Sequence, residues 1–200
     1  MSLEKIKNNF FLRFLISSLI LLVIWKPVSV LYLHFISSVS GLFFRVFDHA
    51  VSLVIADGVL KMMYPSVGGT PLQFSMGEAD QIFLNIIVFV SLVLSSYRVV
   101  LKKRIVYGIA ALGILGLIHV FVIYMYTDVT IWDFIAGQPD QAKSMMTLQA
   151  NAYFSGRNTE LFRYLLFNWN SWGWDVIPLL LWLPVGLRQF SYLIPAHHKK

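Results

Sequence analysis

Four long apolar runs dominate this sequence and limit what it can fold into. They extend over about residues 11–33, 82–100, 105–126 and 176–194. A helix needs roughly 20 mostly apolar residues to cross a bilayer core of about 30 Å. With 58% hydrophobic and 13% charged residues and a mean hydropathy of +0.69, the composition lies outside that of ordinary soluble domains. We therefore predict an all-α integral membrane protein, a four-helix transmembrane bundle that forms a single transmembrane domain over residues 1–200.

Basic residues come before the apolar stretch 14–25 of the first run, as in a secretory signal peptide. Those residues are Lys5, Lys7 and Arg13. No small-residue cleavage site follows, because the run passes into Trp25, Lys26 and Pro27. The pattern therefore predicts an uncleaved anchor. Pro27 predicts a kink in this helix, since proline removes one backbone hydrogen bond.

Basic residues are concentrated in three segments of the sequence. Two apolar runs separate each of these segments from the next. Residues 1–13, 98–104 and 188–200 together hold ten basic residues and one acid, whereas the intervening segments 34–81 and 127–175 hold five basic residues and nine acids. Cytoplasmic loops of membrane proteins are enriched in Lys and Arg. Four crossings place all three segments on one side. This predicts a multi-pass protein of the bacterial inner membrane with both chain ends in the cytoplasm.

Residues 34–81 are predicted to lie on the exoplasmic side. The stretch 34–60 is apolar but holds several polar groups, among them His34, Arg45 and Asp57. It predicts a helix along the outer interface or a continuation of the first helix, with a fifth span as the competing topology. Residues 62–76 contain two prolines and Gly68-Gly69, which indicates a short hairpin or turn region.

Residues 127–175 form the second predicted exoplasmic segment, a polar stretch that we expect to be partly helical around residues 141–153. Three tryptophans follow at its end: Trp169, Trp172 and Trp174. Tryptophan is enriched at membrane–water interfaces. We therefore predict that the three form an interfacial belt beside the last span.

Small and polar residues inside the spans are candidates for contacts between helices. They are Asn85, Ala110, Gly113, Gly116 and His119. Small residues let helices approach closely in lipid, and a polar side chain there can hydrogen-bond to a neighbouring helix. An ionisable residue within a span is also a functional candidate, so His119 has both interpretations. We favour the structural role for it and for Asn85.

The sequence contains no recognisable catalytic set. It has no cysteine, which excludes disulfides, thiolate metal sites and cysteine nucleophiles. His34, His49 and His119 lack the spacing of a metal site, and no common catalytic motif is present. The acid pairs Glu78 with Asp80 and Asp128 with Asp133 are interpreted as solvated or partner-contacting. We expect no catalytic residue, no cofactor and no metal.

One arrangement of segments resembles a known family. Residues 81–92 lead into Arg98 and the basic residues 102–104, a helix with three glycines and His119 follows, and the last span contains residues 178–182. This layout is similar to the exosortase/archaeosortase group of small membrane proteins. Exosortases are transpeptidases that use Cys, Arg and His at the exported face. This chain has no cysteine, and Arg98 lies on the predicted cytoplasmic side. The resemblance therefore implies a non-catalytic, exosortase-associated branch.

Together these features predict a non-catalytic accessory subunit of a bacterial inner-membrane complex, linked to envelope protein sorting or export. Its predicted partners are other integral membrane proteins and lipids in a hetero-oligomer. Nucleic acid is not expected despite the net charge of +6, because the cations lie at the ends of apolar runs. Two alternatives remain open: an exosortase-like enzyme with an exoplasmic site around His119, and an ancillary subunit of a respiratory or metal-containing oxidase.

Overall fold

Helices make up most of the protein in the computed structural model, which describes residues 9–47, 50–67, 70–78, 84–154 and 158–190. Six α-helices and one three-stranded sheet occur in this described part. The elements are α1 (Phe10–Val46), β1 (Ser52–Ala56), β2 (Val59–Val67), β3 (Thr70–Glu78), α2 (Leu84–Ser95), α3 (Leu101–Ala136), α4 (Asp140–Phe154), α5 (Thr159–Asn168) and α6 (Trp174–Gln189). A mainly helical chain was predicted correctly, but the sheet is larger than the predicted hairpin.

Helices α1 and α3 are long and apolar enough to cross a membrane, by length and composition. They contain 37 and 36 residues, which at 1.5 Å per residue corresponds to lengths of about 56 and 54 Å. Two further apolar helices are shorter, α2 and residues 176–189 of α6. The predicted spans 11–33 and 105–126 therefore lie within helices that are much longer than the spans themselves.

Helix α2 ends earlier than predicted. It stops at Ser95, so residues 96–100 of the predicted second span are not helical. The hydroxyls of Ser95 and Ser96 bond back to the carbonyls of Ser91 and Leu92, at 2.6 and 2.8 Å. Such local bonds compete with regular helical pairing. A tight turn follows, in which Tyr97 N donates to Ser95 O at 2.8 Å, and α3 then begins.

The stretch after residue 33 continues α1, as one of the two predictions for it proposed. The other prediction, a separate interfacial helix, and the competing fifth span are both wrong for the described residues, because the helix runs to Val46 and β1 begins at Ser52. Burial explains the continuation. Leu33 and Ile36 are fully buried, and the rings of Phe43 and Phe44 lie 5.5 and 5.8 Å from that of Tyr124 on α3.

The sheet is antiparallel with the order β1-β2-β3. Asp57 and Gly58, both with positive φ, form the two-residue turn between β1 and β2. Asp-Gly is favoured there because both central positions of this turn type require positive φ. The prediction of a hairpin over 62–76 covered β2 and β3 and missed β1. Alternate residues Leu60, Met62 and Tyr64 of β2 are buried, and they give the sheet an apolar face.

Two compact units make up the chain. The first contains residues 1–26, 83–115 and 173–200, and the second contains residues 27–82 and 116–172. Both long helices contribute to both units, with the division in α1 falling between Lys26 and Pro27. The prediction of one transmembrane domain over residues 1–200 stays a prediction.

Four helix ends meet in the first unit. The ring of Phe10, at the start of α1, lies 5.2 Å from that of Phe190, directly after α6. Arg13 on α1 and Arg104 near the start of α3 both donate to the carbonyl of Leu94 at the end of α2, at 3.3 and 3.0 Å. The starts of α1 and α3 and the ends of α2 and α6 therefore share one end of this unit.

Candidate functional site

A buried polar pair lies in the second unit, between α1 and α3. His119 is 1% exposed, and its Nδ1 lies 2.9 Å from the hydroxyl of Tyr32. The imidazole also meets the ring of Trp169 edge-on, at 6.1 Å between centroids. Gly116 lies one turn before His119, and a Cβ added there would be 3.6 Å from the Tyr32 hydroxyl. Gly116 therefore lies directly beside the Tyr32 hydroxyl, at a distance that corresponds to ordinary van der Waals contact.

The pair fits the structural interpretation of His119. A hydrogen bond between two helices satisfies polar groups that would be costly to bury alone. Proton transfer to an external substrate would require the imidazole to be reachable, and Tyr32 and Trp169 both contact it. Tyr32 was not predicted from the sequence, because helical periodicity does not identify the partner of a polar residue on another helix.

The other predicted packing residues are in different environments. Asn85 is buried near the start of α2. Ala110 and Gly113 face outward, and a Cβ on Gly113 would meet nothing within 4 Å in the described part of the chain. Among the described residues, no other helix packs closely against these two positions, and their predicted role in contacts between helices stays a prediction. The close approach occurs at Gly108 instead, where an added Cβ would lie 3.2 Å from Val93 Cγ1 of α2.

Trp169 is one of the three residues that were predicted to form the interfacial belt. It is 7% exposed and packs against His119. It is the first residue of a wide turn of π-helix, Trp169–Gly173, which joins α5 to α6. The side chains of Trp172 and Trp174 lie outside the described part of the structure, so the belt prediction is not tested at those positions.

The predicted acid pair Asp128 and Asp133 is not on a loop, because α3 continues to Ala136. The two carboxylates have different surroundings. Asp128 is fully buried and accepts a hydrogen bond from the Thr159 hydroxyl at 2.9 Å. Asp133 is more than half exposed and pairs with Arg163 of α5. For the other predicted acid pair, the Glu78 side chain and Asp80 lie outside the described residues.

Tyr64 of β2 forms a hydrogen bond that connects the sheet to α3 beside Asp128. Its hydroxyl donates to the carbonyl of Thr127 at 2.5 Å, and the residue is 2% exposed. Burial raises the pKa of Tyr64, and the negative charge of Asp128 raises it further. The tyrosine is therefore held neutral, as a hydrogen-bond donor. Together with the Thr159–Asp128 bond, it joins β2, α3 and the start of α5.

A polar cleft of about 260 Å³ lies between the end of α3 and α5. It is lined by Tyr126, Val129, Thr130, Asp133, Arg163, Leu166 and Asn170. Arg163 donates from Nη2 to Asp133 Oδ1 at 2.5 Å and also pairs with Glu160. Hydrogen bonding to Asp133 and the charges of both carboxylates raise the pKa of Arg163. The charge of this guanidinium is therefore already compensated, which leaves the cleft without a free cation or an evident nucleophile among the described residues.

Comparisons with protein-family models, with curated proteins and with solved structures found no match. Within the described residues, no group of three or more His, Asp or Glu side chains is placed to hold a metal ion.

Proposed function

We propose that this protein is inserted in a bacterial inner membrane with four crossings and both ends in the cytoplasm. The outward surface of α1 supports this proposal. In the most apolar 18-residue stretch of this helix, only 11% of the residues are buried. Phe11, Leu15, Leu19 and Val23 are 73, 56, 55 and 83% exposed. Soluble proteins rarely expose so much contiguous apolar surface, whereas lipid would cover it.

The arrangement of helix ends in the first unit supports the same topology. The starts of α1 and α3 and the ends of α2 and α6 share one end, as four alternating crossings require. Arg13, Arg98, Arg104 and Arg188 lie near those ends. The positive-inside rule makes that end cytoplasmic.

Within the membrane, we propose a non-catalytic role as an accessory subunit of a hetero-oligomeric complex. The observation that carries this proposal is the apolar extension of α1 beyond the bilayer. Counted from Arg13, roughly 20 residues cross the hydrocarbon core, so the helix leaves it near residue 33. Beyond that point Phe35, Leu42 and Val46 are 60, 62 and 78% exposed. A neighbouring protein would shield these side chains from water.

The resemblance to exosortases suggests where such a complex works, namely in envelope protein sorting or export. The alternative of an exosortase-like enzyme depends on His119, and the contacts of this residue with Tyr32 and Trp169 favour packing over catalysis. No observation on the described residues favours the other alternative, an ancillary subunit of an oxidase.

Site-directed photo-crosslinking tests the proposal, and the absence of native cysteine makes it free of background. A thiol-reactive benzophenone is attached to Leu42→Cys and, as the control, to Val23→Cys, which is also an apolar and exposed position on α1. In native membranes we expect Leu42→Cys to form one protein adduct of constant mass and Val23→Cys to react mainly with lipid. A chain that purifies as a monomer in mild detergent and forms no adduct from Leu42→Cys would contradict the accessory role.

A further inference from the structure

The outer edge of β1 carries backbone groups that are not used within the sheet. Ala56 pairs with Val59 across the two-residue turn, and residues that flank such a turn exchange both of their backbone hydrogen bonds. Hydrogen-bonded pairs alternate with non-hydrogen-bonded pairs along the ladder, so the N–H and C=O groups of Leu53 and Ile55 point away from β2. Within the described residues, no backbone hydrogen bond outside the strand pairing engages these two residues. The edge therefore offers two donors and two acceptors.

The sheet leaves this edge open. Strand β1 is paired with β2, and no other described element makes more than marginal contact with it. Val54 is 46% exposed, whereas Leu53 and Ile55 are half-buried. An additional strand can therefore approach β1 without displacing any element that the structure describes.

The two edges of the sheet differ in their protection against pairing. Strand β3, at the other edge, contains Pro71, which has no N–H, and its register against β2 shifts at two places. Prolines and bulges of this kind prevent a sheet edge from pairing with other chains. Strand β1 contains no proline and no charged residue, and its register with β2 is uninterrupted. The β1 edge is therefore the one that can accept another strand.

The side chains at this edge indicate what such a strand would contain. Leu53 lies opposite Met62, and Ile55 lies opposite Leu60, so these four side chains share one face of the sheet. Met62 and Leu60 are fully buried, and the half-buried Leu53 and Ile55 form the border of this apolar face. A strand with apolar residues opposite them would extend the face and cover both. The edge therefore matches an extended segment with apolar side chains at alternate positions.

The length of β1 favours a peptide segment over a second copy of this chain. The strand has five residues, and two of them direct their backbone groups outward, which gives four hydrogen bonds to an added strand. Two paired strands of this length bury much less than the about 1,200–2,000 Å² of a stable protein interface. In contrast, the addition of a peptide strand to a sheet edge relies mainly on main-chain hydrogen bonds.

We propose that the outer edge of β1 binds an extended segment of a partner polypeptide as an antiparallel fourth strand, with apolar side chains opposite Leu53 and Ile55. Antiparallel pairing is slightly more stable for each residue than parallel pairing. This peptide site lies on the sheet, apart from the exposed face of α1 on which the proposed accessory role depends. The site therefore goes beyond that role and does not require it.

Disulfide trapping on the full chain in detergent tests the peptide site, because the wild type contains no cysteine. Val54→Cys is combined, in a glutathione redox buffer, with a peptide of the order lysine, threonine, valine, cysteine, valine, threonine, lysine. In the proposed register the peptide cysteine lies opposite position 54 in a non-hydrogen-bonded pair, with Cα atoms about 4.5 Å apart, a distance that a disulfide can bridge.

Ser75→Cys is the matched control for this experiment. Ser75 is exposed on the other edge strand, and it lies in the same row of the sheet as Val54, since both are paired with Lys61. We expect the peptide to be trapped about tenfold faster at Val54→Cys than at Ser75→Cys, because binding at the β1 edge raises the effective concentration of the peptide thiol.

Methylation of the peptide nitrogens separates strand pairing from side-chain contact. In the proposed register the two valines direct their N–H groups to Leu53 and Ile55, whereas the two threonines direct theirs away. N-methylation of both valines is expected to slow trapping about tenfold, since it removes two hydrogen bonds, while N-methylation of both threonines should leave the rate nearly unchanged. Fluorescence anisotropy of a labelled peptide with serine in place of cysteine repeats this comparison on the wild-type chain.

Three results would overturn the proposal. They are equal trapping at Val54→Cys and Ser75→Cys, an equal effect of the two methylation patterns, and faster formation of a disulfide-linked dimer of the Val54→Cys variant than of the mixed disulfide. The last result would identify a second copy of this chain as the occupant of the edge. Any of these results together with an intact Leu42→Cys crosslink would refute the peptide site and leave the accessory role unaffected.

Discussion

The hydroxyl of Tyr32 lies 2.9 Å from Nδ1 of His119, so that a hydrogen bond between residues 87 positions apart joins α1 to α3. Tyr32→Phe removes the hydroxyl and leaves the imidazole without this partner. We expect a loss of about 1 kcal/mol in the free energy of unfolding, in the range found for hydrogen bonds between membrane helices. Thermal or denaturant unfolding in detergent measures it. Tyr164→Phe, at a side chain that is 65% exposed, is the control and should leave stability unchanged. Equal stability of the two variants would contradict the role of the Tyr32 hydroxyl.

The raised pKa of Tyr64 predicts a loss of stability in alkali. The folded chain keeps this phenol protonated, whereas the unfolded chain releases its proton above about pH 10. The contribution of Tyr64 is therefore complete below pH 10 and falls by about 1.4 kcal/mol for each further pH unit. Unfolding measured between pH 9 and 11 should show a shallower decline for Tyr64→Phe than for the wild type. If the free energy of unfolding fell equally with pH in both proteins, Tyr64 would not be the source of the alkaline loss of stability.

The ion pairs of Arg163 should contribute little, because Arg163 and Asp133 are 36 and 57% exposed. For Arg163→Gln we expect a loss of about 0.2–1 kcal/mol at low salt, decreasing as salt screens the charges. Unfolding in 50 mM and 500 mM NaCl provides the comparison, with Lys143→Gln as a control for removing one positive charge. A larger loss that does not depend on salt would indicate that Arg163 has a packing role.

The same substitution should act in opposite directions at two glycines. Gly58 has a φ of +76°, so Gly58→Ala is expected to cost about 1 kcal/mol. Gly41 lies inside α1, where an added Cβ meets nothing within 4 Å. Gly41→Ala is expected to stabilise by up to about 1 kcal/mol, since alanine favours the helix. If the unfolding midpoints of both variants shifted in the same direction, either the positive φ at Gly58 or the open space beside Gly41 would be contradicted.

The proposed orientation predicts which side of the membrane each exposed residue faces. A membrane-impermeant maleimide applied to intact spheroplasts should label Glu160→Cys and should label Lys103→Cys only after permeabilisation. The wild type lacks cysteine and should remain unlabelled. Labelling of Lys103→Cys from outside would invert the topology.

The sequence predicted the long helices because a run of apolar residues can be read locally. It left the end of α1 open between two alternatives and did not predict the end of α3. Helix α1 passes residue 33 because Leu33 and Ile36 pack into the interior of the second unit, and α3 continues to Ala136 although Asp128 and Asp133 interrupt its apolar pattern. Tertiary contacts determine both extensions.

The site was predictable only in part. His119 stood out as an ionisable residue in an apolar run, but its partner Tyr32 did not. The Asp133–Arg163 pair joins residues 30 positions apart, a separation that a local pattern cannot identify. The Asp57-Gly58 turn was a local signal for the missed strand β1. The outward orientation of Ala110 and Gly113 could not be predicted. The spacing of residues shows which of them share a helix face, but it does not show what packs against that face.

Because α1 is a single helix from Phe10 to Val46, an added residue within it would rotate everything downstream by about 100°. Leu42 and Val46 would then point in a different direction, and Leu33 and Ile36 would leave their packed positions. An added residue in the turn over residues 137–139 would not rotate the following residues in this way, because the turn joins two separate helices, α3 and α4. Homologous chains should therefore vary in length at that turn, while α1 should keep its residue count.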